Sequence, residues 1–170
     1  MASNIARRTG HDMLGVYLND HLAGATMGTE LARRIAAPGR DLPASGEVLR
    51  RLAAEVTDDR AALLEIMTAL GIQVRSYKVY AAWAAEKAGR LKPNGYLLSR
   101  SPLSNLEEVE SLRLAVEGKG AGWRTLRVLA NRDSRLDVTH LDELISRTAR
   151  QADLLEQLRV RVAEQIFRNS

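Results

Sequence analysis

The chain has 170 residues, enough for one domain with a sizeable buried core. Hydrophobic residues make up 45% and charged residues 27%, with only 4% aromatic, a balance that favours helices over sandwiches or barrels. The absence of cysteine excludes disulfides, thiolate metal sites and a cysteine nucleophile, and the net charge of +4 raises the question of an anionic partner.

Residues 1–12 read as a flexible N-terminal tail ahead of one domain over 13–170. The first helix is predicted from about Met13 to Ala37. Leu14, Leu18, Leu22 and Ala25 form one apolar stripe; Tyr17, His21, Gly24, Gly28, Leu31 and Ile35 form the next. Pro38-Gly39 ends it. Ser45 is a natural N-cap for a second helix, which runs to about Leu70 with Gly71 as the residue just past its end. The short loop between them makes the two helices antiparallel neighbours.

A crossover of different character follows. Arg75 to Ala88 reads as a shorter helix carrying Tyr77, Tyr80 and Trp83, and the stretch from Leu91 to Leu103 holds the turn signals Pro93-Asn94-Gly95 and Ser101-Pro102. The third helix is predicted to open at the capping box Ser104-Asn105-Leu106-Glu107 and to reach about Ala130. Gly118, Gly120 and Gly122 weaken its middle by about 1 kcal/mol each relative to alanine, so the helix is either broken there or closely packed there. After a polar loop, Asp137 or Thr139 caps a fourth helix that ends near Phe167.

Four long helices with one long crossover between the second and third resemble the ferritin-like superfamily. The resemblance covers most of residues 13–167 and rests on topology and helix length. It implies an all-α, ferritin-like four-helix bundle. Di-iron members of that superfamily place a Glu on two helices and Glu-x-x-His on the other two. The counterparts here are Glu55-Val56-Thr57-Asp58 with Asp59 on the second helix, and Asp153-Leu154-Leu155-Glu156 or Glu143-Leu144-Ile145-Ser146 on the fourth. None has the histidine. Glu30 and Glu117 fill the single-carboxylate positions. The resemblance thus implies a bundle whose iron site is absent or degenerate.

The residues that interrupt the apolar stripes fall at one depth. Antiparallel pairing at 1.5 Å per residue sets residue 24 opposite 58–59, while the middles of the third and fourth helices lie near 118 and 151–153. The expected buried polar layer is His21, Asp59, Lys119 and Gln151, with Glu55, Glu117 and Thr148 close by. His21 and Asp59 are the sharpest pair: a buried carboxylate needs a partner, and an imidazole is one solution. Such a pair could serve as a general base with its orienting group, as metal ligands, or as a polar tie between helices, and the tie is the plainer reading. Lys119 can neutralise Asp59 or Glu55 inside the bundle. Gly24-Ala25-Thr26-Met27-Gly28 permits close helix approach, or leaves room for a ligand lined by Met27 and Trp123.

The expected function is that of a non-catalytic bundle acting by self-association, as a homo-oligomer, or by partner binding, with no catalytic residue and no cofactor. The first alternative is a carboxylate-rich protein holding iron or manganese through Glu30, Glu55, Asp59, Glu117 and His21. The second is an anion- or nucleic-acid-binding bundle, suggested by the pI of about 9.8 and the Arg7-Arg8 pair. Interspersed acidic and basic residues weigh against a nucleic-acid surface. No apolar run approaches the roughly 20 residues of a membrane span, and residues 1–10 lack the apolar stretch of a signal peptide. The expected location is therefore the cytoplasm.

Overall fold

The computed structural model describes residues 2–75 and 102–168. Among these residues the protein is all-α, with helices α1 (Ala2–Ile35), α2 (Gly46–Ala69), α3 (Pro102–Leu129) and α4 (Val138–Phe167). The crossover expected to carry a short helix lies outside the described residues, between 76 and 101.

Local chemistry sets the ends. The Ser45 hydroxyl accepts the Val48 N–H at 3.3 Å and starts α2. Asp137 accepts the His140 N–H at 3.1 Å and starts α4. Gly71 follows α2 with φ +69°, a left-handed conformation that favours glycine. Two boundaries differ from the sequence reading. Helix α1 begins at Ala2, inside the stretch read as a tail: no proline interrupts it, and the one glycine there, Gly10, costs only about 1 kcal/mol. Helix α3 begins at Pro102, so Ser104 sits in its first turn instead of capping it. Proline suits that position because its missing N–H would have no helical partner.

Side-chain contacts give the helix directions. Thr26 meets Arg60 and Asn19 meets the Gln73 carbonyl, so α1 and α2 are antiparallel. Gly28 lies on Ala115 and Tyr17 on Thr125, which makes α1 and α3 antiparallel. Arg127 pairs with Asp142 and Arg113 with Glu156, which does the same for α3 and α4. Helix α2 is therefore parallel to α3. The closest backbone approaches are α1 to α2, α1 to α3 and α3 to α4. Helices α2 and α4 stand further apart, and long polar side chains bridge them.

The core has two parts. One holds Ile35, Leu52, Val56, Leu112, Val116, Leu155 and their neighbours. The other holds Leu18, Leu63, Met67, Trp123, Leu126, Leu144 and their neighbours. Each fully buried aliphatic side chain contributes about 1.5–3 kcal/mol. The division falls between Val56 and Ala62 on α2, between Val116 and Trp123 on α3, and between Leu144 and Ala152 on α4. Asp59, Lys119 and the Arg147–Gln151 turn occupy those gaps.

Candidate functional site

Asp59 is the centre of the polar layer. Its side chain is wholly buried and accepts from three others. One oxygen takes the Arg147 guanidinium, with Nε at 2.7 Å and an Nη as second donor. The other takes the Lys119 ammonium and Gln151 Nε2, the latter at 3.1 Å. Lys119 also donates to Gln151 Oε1 at 2.6 Å, and Gln151 Nε2 lies 3.2 Å from Glu55. Glu55 faces Arg51 at 3.4 Å. The Asp59 carboxylate, which has about four acceptor positions, is thus saturated by four donors. In this arrangement it has no lone pair left for a metal or for proton abstraction.

Burial pushes the Lys119 ammonium below its ordinary pKa, and the neighbouring Asp59 charge works against that shift. Arg147, which shares Asp59, adds to the lowering, and Glu55 works against it. Arg147 was missed by the sequence reading. Its signal was there: Arg147 and Gln151 are four residues apart, on one face of a helix, opposite a carboxylate that needs a cation.

His21 is placed elsewhere. It does not pair with Asp59, whose acceptors are taken. Its ring packs edge-on against Tyr17, with centroids 4.4 Å apart, and rests against Gly122 of α3. A Cβ at Gly122 would come within 3.0 Å of the imidazole, so this glycine makes the room the ring occupies. Burial lowers the His21 pKa, and Asp20 partly offsets the shift.

The expected carboxylate ligands do not converge. Glu30 is exposed and pairs with Arg33 at 2.9 Å. Glu117 faces outward near Arg113. Glu55 reaches the layer only through Gln151. Among the described residues, no group of three His, Asp or Glu side chains is placed to hold a metal ion. Asp153 is exposed, and Glu156 is engaged by Arg159 at 2.7 Å.

Beside the network lies a half-open cavity of about 410 Å³ between α1, α2 and α3. Its polar lining includes Asp59, Lys119 and His21; much of the rest is apolar, including Leu18, Leu63, Trp123 and Leu126. Gly24 and Gly118 also line it, and a Cβ built on either meets nothing within 4 Å. Both are exposed, so they border its open side. The other small residues do a different job. At Gly28 a Cβ would make ordinary contact with Ala115 of α3 at 3.6 Å, whereas Gly120 brings α3 so close to α4 that a Cβ would sit 2.9 Å from the Thr148 methyl. Among the described residues, the buried indole N–H of Trp123 has no hydrogen-bond partner. Met27 is exposed and is not part of the wall.

Compared with known proteins, the chain matches no family model, no curated protein and no solved structure. Its function is read from this geometry.

Proposed function

We propose that this chain is a non-catalytic four-helix bundle with the ferritin-like helix order, and that it binds a small, largely apolar molecule between α1, α2 and α3. The carrying observation is the cavity itself. It opens at the level where Asp59 and Lys119 interrupt the core, with the exposed Gly24 and Gly118 along its open side. Its volume falls in the usual range for small-molecule sites, and an apolar wall with a few convergent polar groups is their usual composition. The antiparallel pairs α1–α2 and α3–α4, with α2 parallel to α3, support the ferritin-like order.

Saturation of Asp59 argues for binding without chemistry, because a general base needs a free lone pair. The scattering of Glu30, Glu55 and Glu117 gives the iron or manganese reading less support. Ion pairs engaging Arg33, Arg34, Arg40, Arg113, Arg127 and Arg159 do the same for a nucleic-acid surface.

The test is titration with the neutral fluorophore N-phenyl-1-naphthylamine. In a Trp83→Phe background Trp123 is the sole tryptophan and reports on the cavity by energy transfer. Saturable uptake is expected, and its loss in folded Gly24→Leu and Gly118→Leu variants. Uptake unchanged by both substitutions would exclude the cavity as the site.

Self-association is the second reading. Leu114 and Val128 are 69% and 68% exposed and fall on the outer face of α3, with exposed Ala121 between them. Sedimentation velocity of the wild type and Leu114→Glu tests it: a dimer that dissociates in the variant supports it, and a wild-type monomer at high concentration removes it.

A further inference from the structure

The outward face of α3 carries a pattern that the core does not use. Leu114, Gly118, Ala121, Thr125 and Val128 are all exposed and recur at alternating steps of four and three residues, the spacing of a coiled-coil seam. Their neighbours divide by charge. Before Ala121 the face holds exposed Glu107, Glu110 and Glu117; after it come exposed Arg124 and, just past the helix, Arg132. Arg113 and Arg127 turn away to Glu156 and Asp142 of α4. Among the described residues, the Arg124 and Arg132 side chains have neither an ion pair nor a hydrogen bond. Glu117 and Glu110 have their cations at 4.0 and 3.8 Å, and both side chains stay about half exposed.

Resting on the self-association reading above, we infer that the partner of this face is the same face of a second copy, with the two α3 helices antiparallel about a two-fold axis at Ala121. Such an interface is isologous, so each contact off the axis occurs twice. Leu114 of one copy then meets Val128 of the other, since both lie seven residues from Ala121. Glu117 comes beside Arg124, and Glu110 beside Arg132. Opposite charges meet at both ends, which fixes direction as well as register. Parallel pairing would instead set Glu117 against Glu117 and Arg124 against Arg124. Gly118, Ala121 and Thr125 are small enough to let the helices approach at the short end of the usual range of roughly 8–10 Å.

The chain has no cysteine, so single cysteines report the pairing by oxidative cross-linking of the full chain. Ala121→Cys is expected to form a disulfide-linked dimer with itself. Leu114→Cys and Val128→Cys are expected to cross-link when mixed and not alone. Antiparallel helices hold the two copies of residue 114 about 21 Å apart, far beyond disulfide reach. Glu117→Arg and Arg124→Glu should each raise the dimer dissociation constant at least about threefold, the scale of exposed ion pairs turned into repulsions. The two together in one chain should restore it. All these positions are exposed, so the substitutions leave the core untouched. Self-cross-linking of Leu114→Cys and of Val128→Cys, each alone, overturns the antiparallel arrangement and leaves self-association standing. A dimer in which Ala121→Cys stays unlinked overturns the register, and a double reversal that fails to restore the dimer overturns the charge pairing. A wild-type monomer at high concentration removes the self-association reading and this inference with it, whether residues 76–101 or another protein then covers the face.

Discussion

Asp59 of α2 and Lys119 of α3, 60 residues apart in the chain, form an ion pair inside the core between two parallel helices. The pair ties the division between the two apolar clusters to one depth. A carboxylate with no solvent exposure is stable only while its partners are present. Asp59→Asn should therefore cost about 3–5 kcal/mol, because Lys119 loses its counter-charge. Asp59→Leu combined with Lys119→Met should cost at least about 1 kcal/mol less than the sum of the two single changes. Urea denaturation of the four proteins measures this. Additive costs would mean that the two side chains do not interact.

The glycines of α3 should separate by position. Gly118 faces open space, so Gly118→Ala should stabilise the protein by about 0.4–1 kcal/mol through the unfolded chain. Gly120 faces the Thr148 methyl at 2.9 Å, and threonine is stiff at its first side-chain torsion. Gly120→Ala should destabilise by about 1–3 kcal/mol. Thermal melts of the two variants should move in opposite directions. Melts that rise together would show that α3 and α4 do not pack closely at this point.

A third prediction concerns Asn19, which is buried on α1. Its amide donates to the Gly15 carbonyl at 2.8 Å and to the Gln73 carbonyl at 3.1 Å, while its oxygen accepts the Arg75 N–H at 2.7 Å. These bonds dock the chain leaving α2 against α1. Asn19→Ala should cost about 1–3 kcal/mol, the range for leaving such groups without partners. Hydrogen exchange at the Arg75 amide should quicken at the same time. An unchanged rate there would show that the tie does not hold the segment.

The ends of α2, the start of α4 and the polar depth were legible because they are local or periodic. Ser45 and Asp137 cap by contacts three residues away, Gly71 takes φ +69°, and the level shared by Asp59, Lys119 and Gln151 follows from helix length alone. Who pairs with whom was not legible. His21 and Lys119 stood at one depth, and either could have met Asp59. The choice depended on helix rotation and on Gly122, whose missing side chain leaves space that the imidazole fills. Asn19 was hidden for another reason: its partners Gln73 and Arg75 lie in an irregular stretch with no periodicity to read. The cavity was visible only as glycines, and the same residue type also marks close packing, as at Gly120.

His21 gives the last prediction its sign. Burial holds its folded pKa below the ordinary value of 6.5, against the raising effect of Asp20. Between the folded value and 6.5 the unfolded chain binds a proton that the folded protein resists. The contribution of a neutral His21 is thus fully present above pH 6.5 and declines as pH falls, until the folded pKa is passed. The comparison is with His21→Gln, which keeps every other ionisable group. The stability advantage of the wild type over this variant should be greatest near pH 7.5 and shrink towards pH 5, as read from urea midpoints across that range. Asp20 from its own helix, and Asp59 and Lys119 across the cavity, are the charged groups that line this space with the ring. A difference that stays flat with pH would mean that the imidazole is as well solvated in the folded protein as in the unfolded chain, which is incompatible with its seat against Gly122 and Tyr17.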